Sequence, residues 1–393
     1  MRKISTERRR AMLGMRHFLG APGDSIDRIA GDLVGIHSTD PASVYLAAWA
    51  RLGSFKPGDL EDALYDRRSL VRMLGMRRTL FIVPRGFASV LHIAAGHTYA
   101  RPERVRLIRL LEDAGIVSPG KASRWIRRVE AKTLEALAAR GEASARELTR
   151  DVPELANKIA FGEGRTWAGT MGVSTRMMYL LTMEGLVIRT RPLGGWTSGQ
   201  YRWARVEDWL GEPLAGTDRD EACAQLLRGY VQAFGPVTKT DVRWWTGWTA
   251  TLARKTLGAI DAVEVVLDDG STGYLLDEDR TPIEEPNPWV ALLPSLDTTI
   301  MGWKERDWYL GERGSELFDR AGNPGPTVWA NGRVIGAWVQ RPNGEIDVGY
   351  LGRVDARTKR SVDAERERLR GWLGDVRIKP RFPTPFHTRL VAG

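Results

Sequence analysis

The chain repeats one local plan three times, in which helical runs are followed by two strands joined by a tight turn. The third repeat is the clearest. Apolar residues at helical spacing predict a helix over 220–234, which ends at Gly235 and Pro236. A short helix capped by Thr238, a second one over 249–257 and a strand pair around the turn at 268–270 follow. This is the order of a winged helix, so the repeat predicts that fold.

The second repeat spans about 123–205 and follows the same order. A helix over 125–140 precedes Ser144, which with Glu147 forms a capping-box pattern at the start of the next helix. A third helix at 173–184 leads to two strands that flank a glycine-rich tip. We expect that tip to be the wing of a second winged helix.

The first repeat diverges most from this plan. It predicts a helix over 58–65, a second helix near Arg68 and a strand over 76–83. These elements are expected to form the first module.

Prolines at 282, 286 and 288 mark a boundary beyond which strands dominate. Asn-Gly pairs at 331–332 and 343–344 favour tight hairpins, and a charged helix is predicted near the end at 354–372. We therefore predict an α+β fold of tandem winged-helix modules with a C-terminal antiparallel β-sheet or barrel. The predicted domains are 1–122, 123–215, 216–285 and 286–393.

The charge balance is basic, with 58 Lys and Arg against 49 Asp and Glu and a net charge of +9. Most of the basic residues are arginine, which makes bidentate contacts to phosphate and guanine. A nucleic-acid partner would explain this excess. Codon usage in a GC-rich genome would explain it equally well, so both explanations stay open.

Several functional classes are excluded by composition. Cys223 is the single cysteine, so no disulfide framework or cysteine metal site is expected, and the five histidines lack the spacing of a helical zinc motif. The Gly-Glu-Gly run at 162–164 lacks the third glycine and preceding strand of a dinucleotide site. No apolar run is long enough to span a membrane, and no secretory signal follows the basic N-terminus. We expect a cytoplasmic protein that needs no cofactor.

A polar trio, His37, Ser38 and Thr39, directly precedes a strongly predicted helix. Asp40 suits the N-cap and Pro41 the first helical position. The trio is therefore expected at the positive end of a helix dipole, close to free backbone N–H groups. Two interpretations remain open: the trio carries chemistry, or its hydroxyls help the cap and the histidine is an ordinary loop residue.

The segment from Val34 to Leu52 resembles the N-terminal signature of the AlkZ/YcaQ-type DNA glycosylases. Further segments resemble that family in the same order along most of the chain: Leu70–Arg72, Met76–Leu80, Phe234–Thr238, Leu292–Asp297 and Gly325–Val328. The resemblance implies tandem winged helices and a C-terminal β-barrel around a channel of DNA size. It also implies removal of guanines alkylated at N7, including bulky toxin adducts and interstrand crosslinks.

The catalytic motif of that family is a glutamine, a small or apolar residue, and then glutamine or aspartate. His37 and Thr39 occupy the two polar positions here, with Ser38 between them. Because an N7-alkylated guanine is already cationic and leaves readily, the enzyme mainly has to hold a water and stabilise positive charge on the sugar. We expect His37 to orient or deprotonate this water and Thr39 to complete its site. Asp40 is either an anionic stabiliser or the helix cap.

Candidate DNA contacts are the basic residues of the three modules and one aromatic residue at the glycine-rich tip. The basic candidates are Arg51, Arg77, Arg78, Arg176, Arg189, Arg191, Lys239, Arg243, Arg254 and Lys255, each of which could equally be a solvated surface charge. Trp196 is predicted to be exposed and to wedge or stack against a base. Trp329 and Trp338 are predicted to lie in the core.

We therefore predict a monofunctional DNA glycosylase that acts as a monomer on duplex DNA carrying N7-alkylguanine, in genome protection or toxin self-resistance. Bulky natural-product adducts and crosslinks are further candidate substrates. The alternative is a non-catalytic winged-helix DNA-binding protein, either a transcription regulator or a lesion binder. A protein-interaction scaffold is a third reading. No lysine adjoins the trio, which argues against lyase chemistry, and Lys56 is the closest downstream.

Overall fold

The computed structural model describes residues 2–161, 169–214, 216, 218–280 and 286–392. The helices of these residues are α1 (Thr6–Arg16), α2 (Ile26–Asp32), α3 (Pro41–Trp49), α4 (Pro57–Glu61), α5 (Ala88–Leu91), α6 (Ala100–Asp113), α7 (Ala122–Arg140), α8 (Ala145–Asp151), α9 (Val173–Met183), α10 (Val206–Leu210), α11 (Arg219–Phe234), α12 (Lys239–Thr246), α13 (Ala250–Leu257), α14 (Asp307–Leu310), α15 (Ala356–Leu373) and α16 (Pro385–Ala392). Within the same residues, no helix has both the length and the apolar character needed to cross a membrane.

The strands form small sheets. They are β1 (Arg2–Ile4), β2 (Ile36–His37), β3 (Leu70–Leu74), β4 (Leu80–Pro84), β5 (Ala143–Ser144), β6 (Lys158–Phe161), β7 (Gly169–Gly172), β8 (Val187–Pro192), β9 (Tyr201–Arg205), β10 (Ala262–Leu267), β11 (Thr272–Leu276), β12 (Val290–Leu293), β13 (Thr327–Ala330), β14 (Arg333–Gln340) and β15 (Ile346–Tyr350). The pairing orders are β1-β10-β11, β2-β4-β3, β5-β9-β8, β6-β7 and β12-β13-β14-β15.

The third module has the predicted winged-helix order, with α11, α12 and α13 followed by the antiparallel pair β10 and β11. Thr238 and Asp241 form a capping box that starts α12. The sheet contains one strand that the sequence did not predict. Arg2–Ile4 pairs in parallel with β10, so that Arg2 stands opposite Val265. The N-terminus of the chain thereby completes a sheet formed more than two hundred residues later.

The second module also has this order, with α7, α8 and α9 followed by β8 and β9, and β5 pairs with β9. The expected capping box of Ser144 and Glu147 starts α8. A hairpin of β6 and β7, absent from the sequence prediction, is inserted between α8 and α9. The Gly-Glu-Gly run at 162–164 lies outside the described residues.

The first module differs from the sequence prediction at two places. The helix predicted at 58–65 corresponds to α4 and a π-helical turn over Asp62–Asp66. The helix predicted near Arg68 is wrong, because Arg68 has a φ of 53° and a left-handed residue cannot continue a right-handed helix. The strand predicted over 76–83 begins only at Leu80, since Met76–Arg78 form a 3-10 turn.

The C-terminal part contains an open four-stranded antiparallel sheet, β12-β13-β14-β15. Of the two predicted alternatives, the sheet is confirmed, and the strands of the described residues do not close into a barrel. Asn331 and Gly332 make the predicted hairpin turn, with φ values of 46° and 77°. Trp329 and Trp338 are both buried, as expected for core residues.

Two large apolar clusters hold the described residues together. One contains buried side chains from the first and third modules and from the C-terminal sheet. The other lies almost wholly within the second module and also takes in Leu107 and Leu111 of α6. Most of the second module therefore has a core of its own, whereas the remaining parts share one. The shared core also includes a few second-module residues: Ile188, Ala204, Val206, Trp209 and Leu210. The four domain boundaries stay predictions.

A buried charge pair crosses the shared core. Arg51, just after α3, makes two hydrogen bonds of 2.9 and 2.7 Å to the carboxylate of Asp297 and one of 2.8 Å to the Thr299 hydroxyl. That hydroxyl is 2.8 Å from Nδ1 of His17, whose Nε2 is 3.2 Å from the Ala233 carbonyl oxygen. These contacts fasten α1, α3 and α11 to the loop that follows β12.

Replacing Asp297 by alanine is expected to lower the free energy of unfolding by about 3–5 kcal/mol, because Arg51 would keep a buried charge without a partner. The double variant Arg51→Met with Asp297→Leu should lower the free energy of unfolding far less, because neither buried charge remains. Chemical denaturation measures both. Asp24→Ala removes one partner of an exposed pair with Arg28 and serves as the control, with little expected change. Equal losses in the single and double variants would contradict this account.

Candidate active site and nucleic-acid interface

The first residue of the polar trio, His37, ends strand β2, and Ser38 and Thr39 continue the chain alongside strand β4. His37 stands opposite Phe81 in the antiparallel register. The Ser38 amide donates a hydrogen bond of 2.7 Å to the Leu80 carbonyl, and the Leu80 amide donates one of 3.1 Å to the Thr39 hydroxyl oxygen. Hydrogen bonds to β4 therefore hold the trio on one side before α3 begins.

The His37 imidazole is buried, and its edge packs against the Phe81 ring at 5.2 Å between centroids. Its Nε2 is 3.5 Å from the Thr39 hydroxyl oxygen, and its Nδ1 has no hydrogen-bond partner among the described residues. The backbone amide of His37 donates to the Thr298 hydroxyl at 2.9 Å. Burial, and after it the charge of Arg77, lowers the pKa of His37 to about 3. The ring is therefore neutral at physiological pH.

Ser38 belongs to the scaffold rather than to an open surface. Its side chain is fully buried and accepts a hydrogen bond of 2.7 Å from Nε of Arg72. The same guanidinium donates to the Tyr65 hydroxyl at 2.9 Å and lies 4.7 Å from the ring centroid of Tyr201. Because Tyr201 lies on β9, this contact joins the trio to the second module.

Asp40 caps α3, as the sequence predicted. Its carboxylate accepts a hydrogen bond of 3.4 Å from the Ala42 amide, and Pro41 occupies the first turn. Burial raises the pKa of Asp40. The residue lines a small cavity of about 20 Å³ with Ser43 and Ser295, apart from the cleft that Thr39 lines. A role as anionic stabiliser for this carboxylate stays a prediction.

Thr39 lines a cleft of about 910 Å³ between the first module, the second module and the segment after α15. We call it the arginine cleft, after the six arginines in its wall. They are Arg78, Arg106, Arg146, Arg176, Arg189 and Arg381. Glu103 also lines it and is already paired with Arg176 at 2.9 Å. The resulting positive charge suits a nucleic-acid backbone.

Three predicted DNA contacts lie in this cleft. Arg78 is exposed and is the last residue of the 3-10 turn between β3 and β4. Arg176 projects from α9 of the second module. Arg189 on β8 has its guanidinium carbon 5.0 Å from the ring centroid of Trp203. The two modules thus present cations from opposite sides to one space, which Thr39 also borders.

The structure rules out one predicted contact with DNA, Arg51, and argues against a second, Arg191. Arg51 is only 1% exposed and is committed to Asp297, so no phosphate can reach it. Arg191 forms ion pairs with Glu61 at 3.2 Å and Asp66 at 3.1 Å across the junction of the first two modules. Both arginines hold parts of the protein together, which spacing along the chain could not reveal.

Trp196 is not the exposed wedge that the glycine-rich tip suggested. Its ring packs against Tyr45 on α3 at 5.0 Å and against Trp372 on α15 at 5.6 Å between centroids. The glycines around it allow the tip to fold back over these helices. A tryptophan in water would expose a large apolar ring, and this packing covers part of it.

The remaining predicted contacts lie towards or on the third module, outside the lining of the arginine cleft. Arg77 is half-buried over the ring of Trp244 at 3.8 Å, and burial lowers its pKa to about 10, with a further contribution from Arg306. The others are exposed on α12 and α13, and their contact with DNA stays a prediction: Lys239, Arg243, Arg254 and Lys255.

Sequence reasoning missed three cations of the cleft. Arg146 lies in the first turn of α8, between the two residues of the capping box. Its place at a predicted helix start is the sequence signal that could have identified it. Arg106 lies on α6, a helix that the sequence analysis did not assign. Arg381 lies beyond α15 in a segment without regular structure, and no local pattern marks it.

Comparison with known proteins identifies the family and the fold. A family model described as DNA glycosylase AlkZ-like matches residues 30–372. Among solved structures, the DNA glycosylase AlkZ of Streptomyces sahachiroi is similar to this chain with a TM-score of 0.72 and 20% sequence identity, covering 96% of this chain and 99% of that chain. At this identity the likeness concerns the fold. No curated protein matches the sequence.

Arg78→Ala is expected to weaken binding to undamaged duplex DNA and to reduce the slope of log affinity against log salt by about 0.9, the value for one lost phosphate contact. Arg191→Ala should leave that slope unchanged, because Arg191 is paired with acidic residues of the protein. Fluorescence anisotropy over a salt series measures both variants. Equal slopes in Arg78→Ala and the wild type would show that the cleft does not hold the DNA backbone.

Proposed function

The chain belongs to the AlkZ-like DNA glycosylase family, and from this premise we propose that it hydrolyses the N-glycosidic bond of guanines alkylated at N7 in duplex DNA. One observation carries the proposal. Thr39, which lies within 3.5 Å of the neutral His37 imidazole, borders the arginine cleft. A group able to hold water thus faces a space whose charge attracts DNA.

The chemistry makes modest demands on the protein. An N7-alkylated guanine carries a positive charge, so it leaves with the bonding electron pair as a neutral base and needs no proton. The sugar becomes oxocarbenium-like while the bond to the base breaks. Water then bonds to the anomeric carbon and releases one proton to solvent. The enzyme contributes chiefly by holding this water and by not opposing the positive charge.

Thr39 and His37 are the groups we assign to that water. The Thr39 oxygen accepts from the Leu80 amide, which orients it and leaves its hydroxyl proton for another partner. Nδ1 of the imidazole is buried without a hydrogen-bond partner among the described residues, whereas Nε2 lies 3.5 Å from the Thr39 hydroxyl and can donate or accept there when the ring is neutral. Together they offer the mixture of donors and acceptors that a glutamine pair offers in the family motif.

The low pKa of His37 favours positioning over deprotonation. With a pKa of about 3, the ring is a weak base and stays uncharged at physiological pH. An imidazolium here would repel both the cationic base and the cationic transition state. Burial and the charge of Arg77 prevent this, so the histidine acts as a neutral hydrogen-bonding group. A neutral histidine can therefore take the place of a glutamine in the motif as a hydrogen-bonding group.

Single-turnover excision from a duplex with one N7-alkylguanine tests the proposal. The wild type is expected to release the modified base. His37→Ala and Thr39→Val are expected to slow release by about a hundredfold, because the water is no longer held in line with the anomeric carbon. His97→Ala, which removes an exposed histidine outside the cleft, is the matched control and should keep the wild-type rate. Tight binding without base release, on small and bulky adducts alike, would instead support the non-catalytic lesion binder.

The pH dependence of excision separates positioning from base catalysis. Since the pKa of His37 is about 3, this residue stays neutral from pH 5 to 8, and the single-turnover rate should show no step due to it over that range. A rate that rises with a midpoint near the ordinary histidine pKa of about 6.5, and loses this step in His37→Gln, would contradict the neutral role. The measurement needs only the wild type and this one variant across a pH series.

A further inference from the structure

Arg381 reaches the trio from the far end of the chain. It lies in the irregular segment between α15 and α16, and its Nη1 donates a hydrogen bond of 3.3 Å to the backbone carbonyl of Thr39. Its exposed side chain lines the arginine cleft beside Thr39. The residue stands beyond position 372, where the match to the family model ends.

The wing of the second module leaves room for this guanidinium. A Cβ atom built on Gly199 would lie 2.6 Å from Nη2 of Arg381, which is too close for any side chain other than that of glycine unless the guanidinium moves. The same Cβ would make only an ordinary contact of 3.6 Å with Pro41. Arg381 is therefore seated between the trio, the start of α3 and the wing.

The guanidinium keeps most of its donors available. An arginine carries five N–H donors, and the contact with Thr39 uses one of them. Among the described residues, no carboxylate forms an ion pair with Arg381, whereas Arg176 in the same cleft is paired with Glu103. The charge of Arg381 acts on the Asp40 carboxylate, where it offsets part of the rise that burial gives the Asp40 pKa, but it forms no ion pair there. A guanidinium without an ion pair that faces a cleft of like charges is suited to an anion, and its planar fork matches the oxygens of a phosphate.

We propose that Arg381 binds a phosphate of the damaged strand next to the target nucleotide and, through the same guanidinium, holds the Thr39 backbone in position for the reaction. This inference rests on the proposed excision activity. One group would then link the DNA backbone directly to the residue that holds the water. Because the bound phosphate neutralises the guanidinium, Arg381 does not oppose the positive charge that develops on the sugar.

Three variants test this role, with single-turnover excision measured at saturating enzyme and binding to undamaged duplex measured over a salt series. Arg381→Ala should reduce the salt slope by about 0.9 and slow excision about tenfold or more. Arg381→Lys should restore the slope, because its charge still meets a phosphate, but not the rate, because a lysine cannot present a planar fork. Lys379→Ala is the matched control: this exposed cation of the same segment lies outside the cleft lining, and the saturating rate should stay at the wild-type value.

Gly199→Ala offers a test that removes no charge. Its methyl group should displace the Arg381 guanidinium from Thr39, so that excision slows while the chain retains the arginine. An unchanged salt slope in Arg381→Ala would overturn the phosphate contact, and an unchanged saturating rate would overturn the positioning role. A wild type that releases no base would refute the excision activity itself, whereas the salt slope of Arg381→Ala would still decide the phosphate contact.

Discussion

The buried pair of Arg51 and Asp297 sets the geometry on which the site depends. The pair acts mainly by fixing positions. A buried ion pair contributes little net stability, but any arrangement that separates its two charges is strongly unfavourable. Asp297 is followed by Thr298, whose hydroxyl accepts from the His37 amide, and by Thr299, which contacts both Arg51 and the buried His17. One loop after β12 therefore fixes the end of α3 and the trio before α3 at the same time.

The same arrangement sets the environment of His37. The core that holds the Arg51 pair also encloses the His37 ring, and burial there keeps the ring neutral. Thr39, two residues later, is at the boundary between this interior and the arginine cleft. The trio thus passes from a buried residue to the lining of the arginine cleft within three residues.

Arginines serve three physical purposes in this protein, and only contacts distinguish them. Arg191 forms ion pairs across a module junction, Arg77 lies over a tryptophan ring, and Arg381 faces the cleft beside Thr39. The excess of arginine therefore indicates a nucleic-acid partner only in part, because several of these side chains act as structural elements of the protein itself.

The sequence by itself determined the local elements, because each depends on residues a few positions apart. These are the capping box at Ser144, the caps at Thr238 and Asp40, the helix order of two winged helices and the Asn-Gly hairpin. It also pointed to the trio through its place before a capped helix. Only the tertiary structure decided that the tip tryptophan packs inward, that Arg51 is buried and that Arg381 joins the trio from 342 positions away. These outcomes depend on contacts between residues that are far apart in the chain, and neither the periodicity nor the charge pattern of the sequence predicts such contacts.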